Sequence, residues 1–160
     1  MTEERPKWIY IEKKPETDRE YFENLTHCIF QAGLSWQLIA KKWPNFLEAF
    51  DGFEINLVAA YGVEDIKRLS GDSSIIRNKQ KINATIYNAQ EFQRIAEKHG
   101  SFRKWLDYID KAHNYDLVIK KMKSRFKRVG PSTAHIFLWS VGESIKYDPS
   151  VHTRMPSKIV

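Results

Sequence analysis

Six basic side chains, Lys120, Lys121, Lys123, Arg125, Lys127 and Arg128, crowd into nine positions ahead of Val129-Gly130-Pro131. Ser132 and Thr133 follow directly. This order suits the capture of an anion. Gly130 is expected to take the positive φ that other residues resist, turning the chain sharply. Pro131 is pre-set for a first helical turn and has no N–H to leave unpaired. Ser132 and Thr133 put hydroxyls among the free N–H groups of that turn, where the helix dipole favours negative charge. With Lys127 and Arg128 beside it, such a turn would hold a nucleic-acid phosphate backbone and read no bases. An ordinary αα-turn that happens to be basic would use the same residues, since a lysine run is often a solvated helix face.

Composition narrows the field. The chain has 160 residues, a net charge of +6 and a single cysteine, Cys28. One thiol excludes an internal disulfide and any multi-cysteine zinc or iron–sulfur site, and no metal or cofactor is expected. No apolar run approaches the roughly 20 residues of a membrane span. The start, Met-Thr-Glu-Glu-Arg-Pro, lacks the apolar stretch of a signal peptide, so a cytoplasmic protein without membrane partners is expected. Cys28 itself reads as a small buried hydrophobe, with His27 its one potentially cationic neighbour.

The elements that must position these residues are helical almost throughout. Thr17 or Asp18 would cap a first helix carrying Tyr21, Phe22, Leu25 and Ile29 at helical spacing, broken by Gly33. A second helix spans about 35–50, and Pro44 is expected to kink or split it. Short helices are expected at 55–61 and 63–69. A long one runs from Ile75 to His99 and stops at Gly100. Ser101 would cap the next, which carries Phe102, Trp105 and Leu106. Tyr115, Val118, Ile119, Met122 and Phe126 form another stripe, and Ala134–Trp139 is apolar enough to be buried on most sides. Trp43, Trp105 and Trp139 read as core, and His135 as a satisfied buried histidine. No alternating strand pattern survives. The fold class is all-α, in a single domain over 1–160 whose helical lobes share one cleft, with a helix-hairpin-helix at about 115–142.

Several motifs occur in one order: Gln31-Ala32-Gly33-Leu34-Ser35-Trp36, Ile75-Ile76-Arg77-Asn78-Lys79, Asn88-Ala89, Gly100-Ser101-Phe102 and Arg125-Phe126-Lys127-Arg128-Val129-Gly130-Pro131. In sequence and spacing, from about Pro15 to Gly142, they resemble the DNA-3-methyladenine glycosylase I family. That family is a branch of the helix-hairpin-helix DNA glycosylases. The resemblance implies a monofunctional enzyme of base excision repair that acts on double-stranded DNA containing a damaged base. It would swing an alkylated purine out of the duplex and hydrolyse its glycosidic bond, which is not accessible inside the stack. It also implies roles. Trp36 would stack on the extruded base, Gly33 and Leu34 would probe the gap it leaves, and Lys127, Arg128, Gly130, Ser132 and Thr133 would grip phosphates. A monomer is expected.

The chain departs from the family at three places. The family's initial Tyr-His-Asp-x-Glu-Trp-Gly motif is replaced by Trp8-Ile9-Tyr10-Ile11-Glu12-Lys13-Lys14-Pro15, leaving Tyr10 or Trp8 to supply the pocket aromatic. The family's zinc ligands, two Cys and two His near the termini, are missing. The family's pocket glutamate falls at Cys28, so that base-contacting position loses its negative charge. The wider superfamily uses an aspartate after the second hairpin helix to steady the sugar cation, and Asp148 stands at that spacing, with Glu143 the lesser candidate. Where bifunctional members carry a nucleophilic lysine this chain has Ser132, so a Schiff-base lyase is not expected. Two rival readings stay open: a damaged-DNA-binding protein that has lost catalysis, and a glycosylase for another lesion.

Overall fold

The computed structural model describes residues 8–10, 13–146 and 148. Parts of the sequence motifs, including Ile11, Glu12, Tyr147 and Pro149, lie outside the described residues, as do the ends of the expected 1–160 domain. Eight α-helices and one 3₁₀ turn follow in order among the described residues: α1 (Asp18–Gln31), α2 (Trp36–Ala49), the 3₁₀ turn (Asp51–Phe53), α3 (Ile55–Ala59), α4 (Val63–Ser70), α5 (Lys79–His99), α6 (Phe102–Tyr108), α7 (Ala112–Arg125) and α8 (Pro131–Ser140). The all-α expectation holds. No helix among the described residues is long and apolar enough to cross a membrane.

Local chemistry explains most boundaries. The Thr17 hydroxyl accepts from the Glu20 N–H and Ser35 from the Leu38 N–H, fixing the starts of α1 and α2. Gly33, at φ 84, makes the turn between them. Asn78 accepts from the Lys81 N–H, so α5 begins at Lys79 rather than at Ile75. Ile75 instead packs into the core ahead of the cap. Pro44 does not split α2, which continues through it to Ala49. Its missing N–H leaves the Ala40 carbonyl without its partner one turn on.

The core is aromatic. Phe22 of α1 meets Phe92 of α5, which stacks on Phe102 of α6, and Phe102 meets Phe137 of α8 edge-on. Burying such rings contributes roughly 1.5–3 kcal/mol each, and this joins four helices around one centre.

Two tethers hold the segments that flank the helices. His113, Asn114 and Tyr115 all have positive φ at the start of α7. That conformation costs non-glycine residues roughly 1–2 kcal/mol apiece. Side chains from the same turn offset it. Asn114 donates to the Lys146 carbonyl at 3.0 Å and accepts from the Lys146 N–H at 2.7 Å. Tyr115 donates to Glu143 and accepts from the Ser144 N–H. The segment after α8 is thereby pinned to α7. The second tether is the Tyr10 N–H, which donates to the Ser140 carbonyl at 2.7 Å and ties the N-terminal segment to the end of α8.

Candidate active site

A cavity of about 510 Å³ opens between the N-terminal segment, α1 and α2. Trp8 and Tyr10 come from the first, Glu23, Asn24 and His27 from the second, and Ala40, Trp43, Pro44 and Leu47 from the third. Its size falls within the range of small-molecule sites, which are mostly apolar with a few placed polar groups.

α1 presents Glu23 and His27 one helical turn apart, so both reach the same wall. The Glu23 carboxylate accepts from Arg19 Nη1 at 2.9 Å and from Trp43 Nε1 at 2.9 Å. His27 is 1% exposed, and burial lowers its pKa to about 3, which keeps the imidazole neutral near pH 7. Its Nδ1 has no hydrogen-bond partner among the described residues. A buried polar atom left in that state costs about 1–3 kcal/mol. Trp8 stacks on His27 at 4.4 Å between centroids, and Trp43 approaches the same ring at 4.5 Å with a tilt of 57°. Asn24 donates to the Trp8 carbonyl and to Ser140 Oγ, fixing the N-terminal segment as part of the wall. Tyr10 donates to Glu20 at 2.7 Å, and burial together with that carboxylate pushes its phenol upward.

The expected site residues divide here. Tyr10 lines the cavity, and so does Trp8. Trp36 is half-buried beside it. Its indole lies 5.1 Å from that of Trp8 and within 4° of parallel, backing a ring that the cavity does expose. Cys28 is a correction. It is 2% exposed, lies in the core and interacts with Ser140, and burial pushes its thiol up, so it stays protonated. It forms no part of the cavity wall, because the helix turns Glu23 and His27, not Cys28, toward the opening. Trp43, expected in the core, is buried there and also forms part of the wall. Glu23 and His27 were not singled out for the cavity. The one available signal was their spacing on a stripe adjacent to the apolar one.

Asp148 lies beside His135, outside the cavity wall. His135 is buried, with Nε2 2.9 Å from the Lys146 carbonyl. Burial lowers its pKa, while that carbonyl and Asp148 act the other way. Glu143 is committed to Tyr115 and to Lys14, whose Nζ lies 2.8 Å from it. Among the described residues no group of three His, Cys, Asp or Glu converges as a metal site requires.

The basic hairpin is a separate structure joining α7 to α8. Asn88 of α5, fully buried, accepts from the Lys127 N–H at 2.8 Å and donates to its carbonyl at 3.1 Å. Val129 and Phe126 are buried beneath, which leaves Lys127 and Arg128 exposed. The positive φ expected at Gly130 belongs to Arg128 (φ 64), and Gly130 is extended at φ −85, ψ 179. The physical reason is that the chain reverses before the glycine, where Asn88 grips it. A Cβ on Gly130 would meet nothing within 4 Å, so its missing side chain leaves open space above the start of α8. No side chain caps α8, and Ser132 is exposed and Thr133 half-exposed at its first turn. The basic cluster is not uniform. Arg125 is held by Glu91 and lies over Trp105, and Lys120 pairs with Asp116.

Gln80 and Lys81 link the hairpin to the α1–α2 turn. Gln80 accepts from Arg128 at 3.0 Å, while Lys81 Nζ donates to the carbonyls of Phe30 and Ala32. Burial and the nearby Arg128 charge both lower the Lys81 pKa. The exposed Gly33, the half-buried Leu34 and the hairpin therefore sit on either side of the start of α5.

The profile of the methyladenine glycosylase family matches residues 8–128, which spans the cavity, α5 and the start of the hairpin. The chain belongs to that family. It is 31% identical over 150 residues to DNA-3-methyladenine glycosylase 1 of Escherichia coli (strain K12), covering 80% of this chain and 79% of the relative. It is 28% identical over 151 residues to DNA-3-methyladenine glycosylase of Haemophilus influenzae (strain ATCC 51907 / DSM 11121 / KW20 / Rd), covering 81% and 80%. Its fold is similar to that of 3-methyladenine DNA glycosylase I from Staphylococcus aureus, with TM-score 0.71, 29% identity and coverage of 91% and 85%. A tyrosine-to-phenylalanine variant of 3-methyladenine DNA glycosylase I, in complex with 3-methyladenine, superposes with TM-score 0.70 at 28% identity, covering 92% and 88%.

Proposed function

We propose that this chain is a monofunctional DNA glycosylase that removes an alkylated purine of the 3-methyladenine class from double-stranded DNA. The observation that carries the proposal is the aromatic-walled cavity between α1 and α2, in a chain of the methyladenine glycosylase family. The extruded nucleotide enters that cavity against Trp8, with Trp36 behind it and Tyr10 at the wall. Lys127, Arg128 and the bare start of α8 at Gly130, Ser132 and Thr133 hold phosphates, and Gly33 with Leu34 faces the gap in the duplex. The Gly130 backbone needs no side-chain-free space for its own packing, and that space suits a phosphate oxygen.

The chemistry asks little of the protein. A 3-methylated adenine in DNA is cationic, so when the C1′–N9 bond breaks its electron pair neutralises the ring. Water then gives hydroxyl to C1′ and releases a proton, yielding free base and an abasic sugar. The protein must extrude and orient the nucleotide and stabilise the developing sugar cation. We assign the last role to Asp148, whose segment is held to α7 by Asn114 and to α8 by His135. With Ser132 in the hairpin, no lysine nucleophile is involved and the strand is not cut. The protein acts as a monomer in the cytoplasm.

The test is release of free 3-methyladenine from alkylated duplex DNA. Wild type should release it, and Asp148→Asn should slow single-turnover release while binding undamaged DNA equally well. Wild type that binds DNA but releases no base above buffer would mark a damaged-DNA-binding protein. Release of a different damaged base alone would mark another lesion specificity.

A further inference from the structure

The position at which the family carries its pocket carboxylate is Cys28 here, and that thiol is buried in the core and protonated. The cavity wall nevertheless has a carboxylate. Glu23 stands one helical turn before His27 on the same face of α1, and both line the opening. Two donors from different directions fix its orientation, Arg19 Nη1 on Oε1 and Trp43 Nε1 on Oε2. Each oxygen retains lone-pair capacity for a further donor, because an ionised carboxylate has about four acceptor sites.

A second and independent feature points to a ligand at the same wall. His27 Nδ1 is buried and has no hydrogen-bond partner among the described residues. Its ring is already fixed between neighbours, with Trp8 stacked on it and Trp43 tilted against it. His27 lines the cavity, so a molecule that enters meets the imidazole beside Glu23. The imidazole offers a donor or an acceptor there according to its tautomer. A flat ring with delocalised positive charge and polar groups on its edge would satisfy the carboxylate, the imidazole and the indoles together. Undamaged purines share the shape and the edge groups but carry no charge.

We infer that Glu23 is the residue that selects the cationic base in this chain, with the His27 imidazole beside it at the wall, in place of the carboxylate that position 28 lacks. The inference rests on the reading of the cavity as the base site. It places discrimination of damage five residues earlier in α1 than the family's own carboxylate.

The experiment compares wild type with Glu23→Gln, which keeps the shape and an acceptor oxygen but removes the charge. Single-turnover release of 3-methyladenine from alkylated DNA should fall at least tenfold. The melting temperature and the affinity for undamaged DNA should stay as in wild type. Glu23→Asp, with the charge retained on a shorter stem, should recover part of the rate. Release by Glu23→Gln within twofold of wild type overturns the inference. If Glu23→Gln does not fold, nuclear magnetic resonance of wild type decides: free 3-methyladenine must shift the Glu23 carboxylate and His27 ring signals, and unmoved signals overturn it. If wild type releases no base at all, the glycosylase reading falls separately. Titration of tryptophan fluorescence with free 3-methyladenine then judges Glu23 alone. Binding by wild type that Glu23→Gln loses supports the role, and no binding by wild type, or equal binding by both, removes it.

Discussion

On the proposed function, the hairpin and the cavity solve different recognition problems, and they are built in different ways. The hairpin is made of consecutive residues from Phe126 to Thr133, steadied by one buried asparagine from α5. A phosphate backbone presents the same charge at every step, so a short local turn with free N–H groups and exposed cations is enough to hold it. The cavity draws on three segments, at 8–10, 23–27 and 40–47, that meet only in the folded chain. A single base must be recognised by stacking, charge and edge together, and no contiguous stretch can present all three. On the proposed function, the comparison teaches that affinity for DNA is a local property of this chain, whereas choice of base is a tertiary one.

Breaking one region should therefore leave the other's function intact. The largest effect is expected from Trp8→Ala. Base–aromatic stacking is worth about 1–3 kcal/mol, so release of 3-methyladenine should drop by about 5- to 150-fold while undamaged DNA still binds normally. A parallel loss of undamaged-DNA affinity would show that the two regions are not separable.

Acid should strike the cavity next. The folded His27 pKa of about 3 lies below the ordinary 6.5, so between these values the unfolded chain binds a proton that the folded chain does not. Stability is then complete above about 6.5 and falls as pH drops toward 3, by at most about 1.4 kcal/mol per pH unit from this group. Going from pH 7 to pH 5 should cost wild type about 2 kcal/mol more than His27→Gln in urea unfolding. Equal losses in the two proteins would remove His27 as the cause.

The converse experiment targets the hairpin. Changing Lys127 and Arg128 together to Ala should weaken binding to all DNA sequences alike, and should flatten the slope of log K against log salt by about 1.8 if each neutralises one phosphate. The rate of base release at saturating protein should change little. An unaltered slope would move the phosphate grip elsewhere. The smallest effect is expected from Cys28→Ala. A small core truncation of this kind costs about 1 kcal/mol of stability, and base release should stay within twofold. A tenfold loss of release would return position 28 to the base site.

The sequence by itself determined most of the helices, the caps at Thr17 and Ser101, the family, and the hairpin, because each of these depends on neighbours within a few turns of the chain. It misplaced the positive φ by two residues, at Gly130 rather than Arg128, since the grip of Asn88 on Lys127 arrives from 39 positions away. Only the tertiary structure decided which residues of α1 face the opening. Periodicity marks a buried stripe without saying whether it meets packed core or an empty space. That is why Trp43 and Cys28 looked alike as core residues, and why one stands at a cavity wall while the other is sealed away. Glu23 and His27 became a pair facing one space when α2 and the N-terminal segment closed around them, since a helix fixes spacing along its own axis but not what stands opposite.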